Sequence, residues 1–232
     1  MAKKGKNRKH YTPKDLAPLT RTVTAWLWIF FGSQVLFGAA AVLELQAYAS
    51  MAPDAPANTA PTDIVLMVGG AGLLEVVVYL VSGFLTLKWI YRASRNAHVL
   101  ARGLEISPPW AVGFYFVPLA SLWKPFQALR EVWQVSARPD RWRSAPVPDL
   151  MRWWWGLWLI SNFLGNGSFR LTRSLHDVSG QTFANYVIVA DALASAAAAI
   201  ALIFIVRRLS DMQTAALAAQ TFDAAEPELV MA

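Results

Sequence analysis

The chain has no cysteine and only three histidines in 232 residues. Without a thiol it can form no disulfide, no thiolate zinc or iron–sulfur site, and no cysteine nucleophile. His10, His98 and His176 are too far apart in sequence for their spacing to suggest a metal site. The H-E-x-x-H, G-x-S-x-G and Walker A patterns are missing, and with them the usual sequence signals of a zincin, an α/β-hydrolase and a phosphate-binding loop. Charge is also sparse. Asp, Glu, Lys and Arg make up 16% of the chain, against about 25% in an ordinary soluble domain. The expectation is a protein that is not an enzyme and has no cofactor.

What the chain has in quantity is apolar sequence: 56% of residues are hydrophobic, and the mean hydropathy is +0.35. These residues are bunched into runs at Val23–Leu45, Ile64–Ile90, Trp110–Trp123, Leu150–Leu164 and Phe183–Val206. The first run reaches about 34 Å as a helix, enough to cross a hydrocarbon core of about 30 Å. Ala47-Tyr48-Ala49 resembles a signal cleavage site, but the run is much longer than the apolar region of a signal peptide, so an uncleaved span is expected. The third run contains Pro118 and has 14 residues, a length more typical of re-entrant, interfacial or buried segments than of spans.

Local signals set the other boundaries. Thr12-Pro13-Lys14-Asp15 reads as a helix start. Residues 50–62 carry three prolines and no Lys or Arg, and read as a loop. Gly69-Gly70-Ala71-Gly72 suggests a close helix contact. The second helix is expected to continue through 91–100 and stop at Gly103. Ser107-Pro108 signals another start. In the segment that follows, Phe126, Leu129, Val132 and Trp133 recur at helical spacing, as in an amphipathic helix lying at the interface.

The positive charges decide the topology. If all five runs crossed with the N-terminus inside, 13 Lys and Arg would lie inside and eight outside. If Trp110–Trp123 does not cross, seven precede the first span, ten lie between Lys88 and Arg152, and two follow the last span. Only Arg170 and Arg173 remain outside. The positive-inside rule favours the second arrangement.

The fold expected is therefore an all-α membrane protein of four transmembrane helices, with a re-entrant or interfacial hairpin on the cytoplasmic side. Residues 1–21 form a basic cytoplasmic tail and helix start. The membrane domain is 22–208, with spans at about 23–45, 64–90, 150–166 and 183–206 and the hairpin at 108–136. Residues 209–232 form an acidic, Ala-rich, partly disordered tail. Both termini face the cytoplasm of a bacterial inner membrane. In this arrangement all 11 tryptophans fall in the cytoplasmic half or its interface, where indole anchors well. The net charge of +6 reflects partnership with anionic lipid headgroups rather than nucleic acid.

Two groups of residues are candidates for function. Glu75, Asp191 and Glu44 are carboxylates inside apolar runs, with no basic residue deep in the same runs to pair with them. Ionisable groups there are costly and suggest a proton or cation site, although a protonated acid bonding across helices is the simpler alternative. Glu75 is the strongest of the three candidates and Glu44 the weakest. The second group is Arg92, Arg95, Asn96, Lys124, Arg130 and Glu131. Arg92, Arg95 and Asn96 fall within about one helical turn and could grip a lipid headgroup or a partner, or serve as simple anchoring charges with Glu131 neutralising a neighbour.

Three blocks carry a family resemblance: Trp89–Ala97; Ser107–Pro118 with Trp123–Trp133; and the Trp-rich Met151–Trp158. Together they resemble the bacterial membrane family known as domain of unknown function 4328, over roughly residues 65–208. One departure is Ala120-Ser121-Leu122, where the family pattern places an Asn just before the Leu-Trp pair. The resemblance implies a multi-span membrane protein and brings no catalytic residue with it. A membrane scaffold or regulatory protein, with a protein partner or a second copy, is the leading expectation. A small transporter or channel component using the intramembrane carboxylates is the alternative.

Overall fold

The computed structural model describes residues 11–230, with the side chains of Thr59 and of 221–230 outside that description. The expectations for the basic tail at 1–10, for His10 and for the last two residues lie outside the described residues. The described chain is helical: α1 (Ala17–Tyr48), α2 (Thr62–Leu100), α3 (Pro108–Gly113), α4 (Lys124–Ala137), α5 (Asp149–Ser174) and α6 (Val178–Val230), joined by loops and short 3₁₀ turns. No strand occurs among the described residues. One isolated antiparallel bridge joins Pro56 to Asp177.

The chain divides into two compact units. A bundle unit holds 21–86 and 148–206, and a hairpin unit holds the residues up to 20, 87–147 and the residues from 207 on. The helices α1, α2 and α6 are long and apolar enough to cross a membrane. Their outward faces suit lipid. On α2, Leu66, Leu73 and Leu80 recur every seven residues and are each more than 60% exposed. Exposing such side chains to water would forgo about 1.5–3 kcal/mol each, whereas lipid accepts them.

Within the bundle unit small residues bring helices together. A Cβ at Gly38 of α1 would stand 3.1 Å from the Cβ of Ala192 on α6, and Phe30, Val78 and Ala199 form a buried cluster. The Gly69–Gly72 patch makes the close helix contact expected of it through Gly72. Gly69 and Gly70 have nothing within 4 Å of an added Cβ, and only Gly72 meets a neighbour, the Phe37 ring.

Two boundaries differ from the sequence reading. The helix expected to end near 166 continues as α5 to Ser174, through Gly165 and Gly167. Gly165 lies close to α6: a Cβ there would sit 3.0 Å from the Asp191 carboxylate, which would have to shift by a few tenths of an ångström. In addition, α6 starts at Val178 and runs on as helix to Val230, through the tail expected to be partly disordered. Its alanine-rich sequence has high helix propensity.

The hairpin unit is built around α4. One face of that helix is buried, including Ala128, Leu129, Val132 and Val135, so its apolar stripe meets its own unit's core. The segment 110–123 contains no helix of membrane length. Six residues of α3 are followed by 3₁₀ turns at Phe114–Phe116 and Ala120–Leu122. The α2 helix ends at Leu100, and Gly103 reverses the chain with φ of +79°, a conformation natural to glycine. Trp142 then donates its indole N–H to the Arg102 carbonyl, and Arg143 donates to that of Gly103.

Five of the tryptophans pack inside the protein. Trp89, Trp133, Trp142, Trp154 and Trp155 are buried, and Trp89 is fully so. The indole N–H of Trp89 reaches the hydroxyls of Thr20 and Ser210.

Candidate functional site

The bundle unit gathers the three membrane carboxylates into two sites. Glu75 and Asp191 form one. They lie close enough to interact electrostatically, and Tyr79 lies in the field of both. Gln34 of α1 donates its amide N–H to Glu75 Oε1 at 3.0 Å. Asp191 accepts from the Ser195 hydroxyl one turn later, at 3.2 Å. The Tyr79 hydroxyl donates to Asn162 Oδ1 on α5 at 3.3 Å. All four long helices therefore contribute a polar group. The amide oxygen of Gln34 is buried with no partner, an unfilled acceptor on the residue that holds Glu75.

Glu44 is in the other site. It is buried, with 8% of its surface exposed. Its Oε1 accepts from the Tyr48 hydroxyl at 3.0 Å, and its Oε2 accepts from Asn185 Nδ2 at 2.9 Å. The residue lines a cavity of about 500 Å³. The weakest of the three sequence candidates thus has a cavity beside it. Asn185 is 141 positions away in sequence, so no local pattern could have joined the two. Tyr48, read as part of a cleavage-like motif, carries the other bond. Gln34, Tyr79 and Asn162 were also missed, and their only sequence signal is polarity within or beside an apolar run.

In the hairpin unit the second candidate group splits. Asn96 is 1% exposed, and both its amide atoms bind the Lys14 backbone. It is a clasp for the N-terminal segment and is not available to a headgroup. The Arg95 guanidinium lies over the rings of Tyr11 and Tyr91, at 5.3 and 6.0 Å from their centroids, geometry worth about 0.5–1 kcal/mol per contact at partly exposed positions.

Glu131, expected among the partner-facing residues, is also internal. It is 6% exposed and accepts the Ile106 amide hydrogen at Oε2, 3.2 Å away. Burial pushes its carboxyl above the ordinary glutamate range, while hydrogen bonds from the Ile106 and Glu105 backbone pull the other way. It forms no ion pair with Lys124 or Arg130. Among the described residues the one salt bridge is Arg152–Asp149. Arg92 and Lys124 are half-buried and Arg130 is exposed.

The hairpin itself shows a feature the sequence did not announce. Leu119 has φ of +63° and ψ of −54°, and the Ala120 amide donates to the Pro118 carbonyl at 2.7 Å. This is the strained form of γ-turn. Around it Trp110, Phe116, Leu119, Leu122 and Trp123 are each about half to three-quarters exposed. Among the described residues no group of three or more His, Asp or Glu side chains is placed to hold a metal ion.

The family model for a domain of unknown function, DUF4328, matches residues 53–211, a stretch that runs from the loop after α1 into α6. No curated protein and no solved structure matches the chain.

Proposed function

Since the chain belongs to the DUF4328 family, we propose that it is a four-span protein of the bacterial cytoplasmic membrane, with both termini inside, that acts as a non-enzymatic scaffold or regulatory partner. The fourth span in this reading is α5. Its 26 residues reach about 39 Å, enough to cross. It is more polar than the other three long helices, yet Trp153, Ile160, Phe163 and Phe169 are each more than half exposed, as lipid contact requires.

The observation that carries the interaction role is the surface of the hairpin unit. Arg92, Lys124 and Arg130 have no ion pair among the described residues, and the five apolar side chains around the Leu119 turn are each about half to three-quarters exposed. Arginine and large aromatics are the residue types enriched where binding energy concentrates. The apolar turn seats in the interface of the inner leaflet, where tryptophan is favoured and anionic lipid meets lysine and arginine. The cations facing the cytoplasm take an acidic protein partner.

In-cell crosslinking of the full-length protein tests this. Arg92→Ala and Arg130→Ala should each lose a protein partner that Arg173→Ala retains. Retention of every partner by both variants would refute the scaffold.

A second reading has its own observation. Glu75 and Asp191 share one polar centre with Gln34 and Tyr79 and have no basic partner among the described residues. That centre suits a proton or small cation, as in a transporter or channel component. If Glu75→Gln leaves flux into reconstituted vesicles and its pH dependence unchanged, this reading fails.

A further inference from the structure

The Glu44 cavity has a fixed rim. The 49–61 loop is laced to the turn between α5 and α6: the Ala57 amide donates to the His176 carbonyl at 2.8 Å, Val178 to Ala55 at 2.9 Å and Ser179 to Pro53 at 2.9 Å. Tyr48, Ala60 and Val178 pack beneath it. Beside this lacing lies a half-open cavity of about 500 Å³, within the range of small-molecule sites.

Its chemistry is one-sided. Among the described residues that line it, Glu44 is the only carboxylate, His176 is the only base, and none is Lys or Arg. Each Glu44 oxygen takes one hydrogen bond from a neutral donor, Tyr48 or Asn185, and keeps a further acceptor position. Glu44 also lines the cavity, so when it is ionised, its charge, held only by neutral donors, would be balanced by a cation placed there. The rest of the wall includes Val65, Val68 and Ile188. A hard metal ion would need several oxygen ligands and would leave this apolar wall without a role.

We propose that this cavity binds a primary ammonium group carried on an apolar body, with Glu44 receiving the ammonium and Val65, Val68 and Ile188 covering the body. Two sources share the primary ammonium: a small soluble alkylamine, and the ethanolamine headgroup of a lipid, whose apolar part is two methylene carbons. Val65 and Gly69 of α2 lie on the rim and are exposed, so the chamber opens along the α2 face and either source has access. Gly69 also offers a way to close it, because a Cβ added there meets nothing within 4 Å.

The test uses the full-length protein in detergent free of lipid amines. Thermal unfolding is followed with n-alkylammonium chlorides from methyl to octyl, and with alcohols of the same lengths. The amines should stabilise the wild type increasingly with chain length, and the alcohols should not. Glu44→Gln should weaken hexylammonium at least tenfold. Gly69→Phe should block the long amines, keep methylammonium and melt close to the wild type. If Glu44→Gln fails to fold, Gly69→Phe decides the question alone.

Phosphatidylethanolamine added to the micelles identifies the source: competition with hexylammonium assigns a lipid headgroup, and no competition assigns a soluble amine. The proposal is overturned if no amine stabilises the wild type, if alcohols do so equally, or if the folded variants bind as the wild type does.

Discussion

Asn96 holds Lys14 by both atoms of its side-chain amide, Oδ1 accepting the Lys14 amide hydrogen at 3.0 Å and Nδ2 donating to the Lys14 carbonyl at 2.8 Å. This pair fixes the segment ahead of α1 against the end of α2, within one unit. Each bond contributes about 1 kcal/mol net, and losing one partner strands the other group. Asn96→Ala should therefore cost about 2–3 kcal/mol of stability in the hairpin unit. Trypsin cleavage after Lys14 should accelerate, and unchanged cleavage would show that the clasp does not hold the segment.

Glu131 makes stability depend on pH. Its carboxyl titrates above the ordinary value of 4.5 in the folded protein, chiefly because it is buried. The folded state thus holds a proton that the unfolded state releases. The stability this contributes is complete below the ordinary value and is lost as pH rises through the raised one. Glu131→Gln stays neutral throughout. Melting curves between pH 4 and 8 should show the wild type losing stability relative to Glu131→Gln as pH rises. Parallel curves would contradict the burial argument.

The Leu119 turn stores strain in a conformation that glycine adopts freely. Leu119→Gly should relieve about 1 kcal/mol of it and raise the melting temperature in detergent. The same change removes a largely exposed apolar side chain from the surface assigned to the leaflet interface. Quenching of hairpin tryptophan fluorescence by brominated lipid should fall in Leu119→Gly. Stabilisation with unchanged quenching would mean the turn does not touch lipid.

Gly165 lies directly beside the Asp191 carboxylate. A Cβ at 165 would stand 3.0 Å from Asp191 Oδ2, tighter than ordinary van der Waals contact, so Gly165→Ala should displace the carboxylate. The expected cost is about 1–3 kcal/mol, as for overpacked sites generally. Gly167, two residues on, has nothing within 4 Å of an added Cβ, and Gly167→Ala should be neutral or slightly stabilising. Thermal melts of the two variants in the same detergent check the contrast, and equal effects would contradict the packing.

Helices that depend on local pattern were legible in the sequence. The run of α2 past the membrane-length segment to Leu100, the reversal at Gly103 and the start at Pro108 all follow from propensity and from Gly and Pro chemistry. Features set by distant partners were not. Glu131 sits among the polar residues of an amphipathic helix and reads as solvent-facing, yet the amide it serves lies 25 residues away. Two glycines made α5 look shorter than it is, because the Gly165–Asp191 contact that explains the first is tertiary. The significance of Glu44 depends on Asn185, a partner in another helix, and on a cavity that no sequence period encodes.

In the proposed topology α5 crosses the membrane while 108–123 does not. The natural chain has no cysteine, so single cysteines report cleanly. Glu105→Cys, Ser144→Cys, Ser50→Cys and Ser174→Cys all fall at exposed positions. Labelling of intact cells and of permeabilised cells with a membrane-impermeant maleimide should place 105 and 144 together inside, and 50 and 174 together outside. Residues 105 and 144 on opposite sides, or 144 and 174 on the same side, would contradict the four-span account.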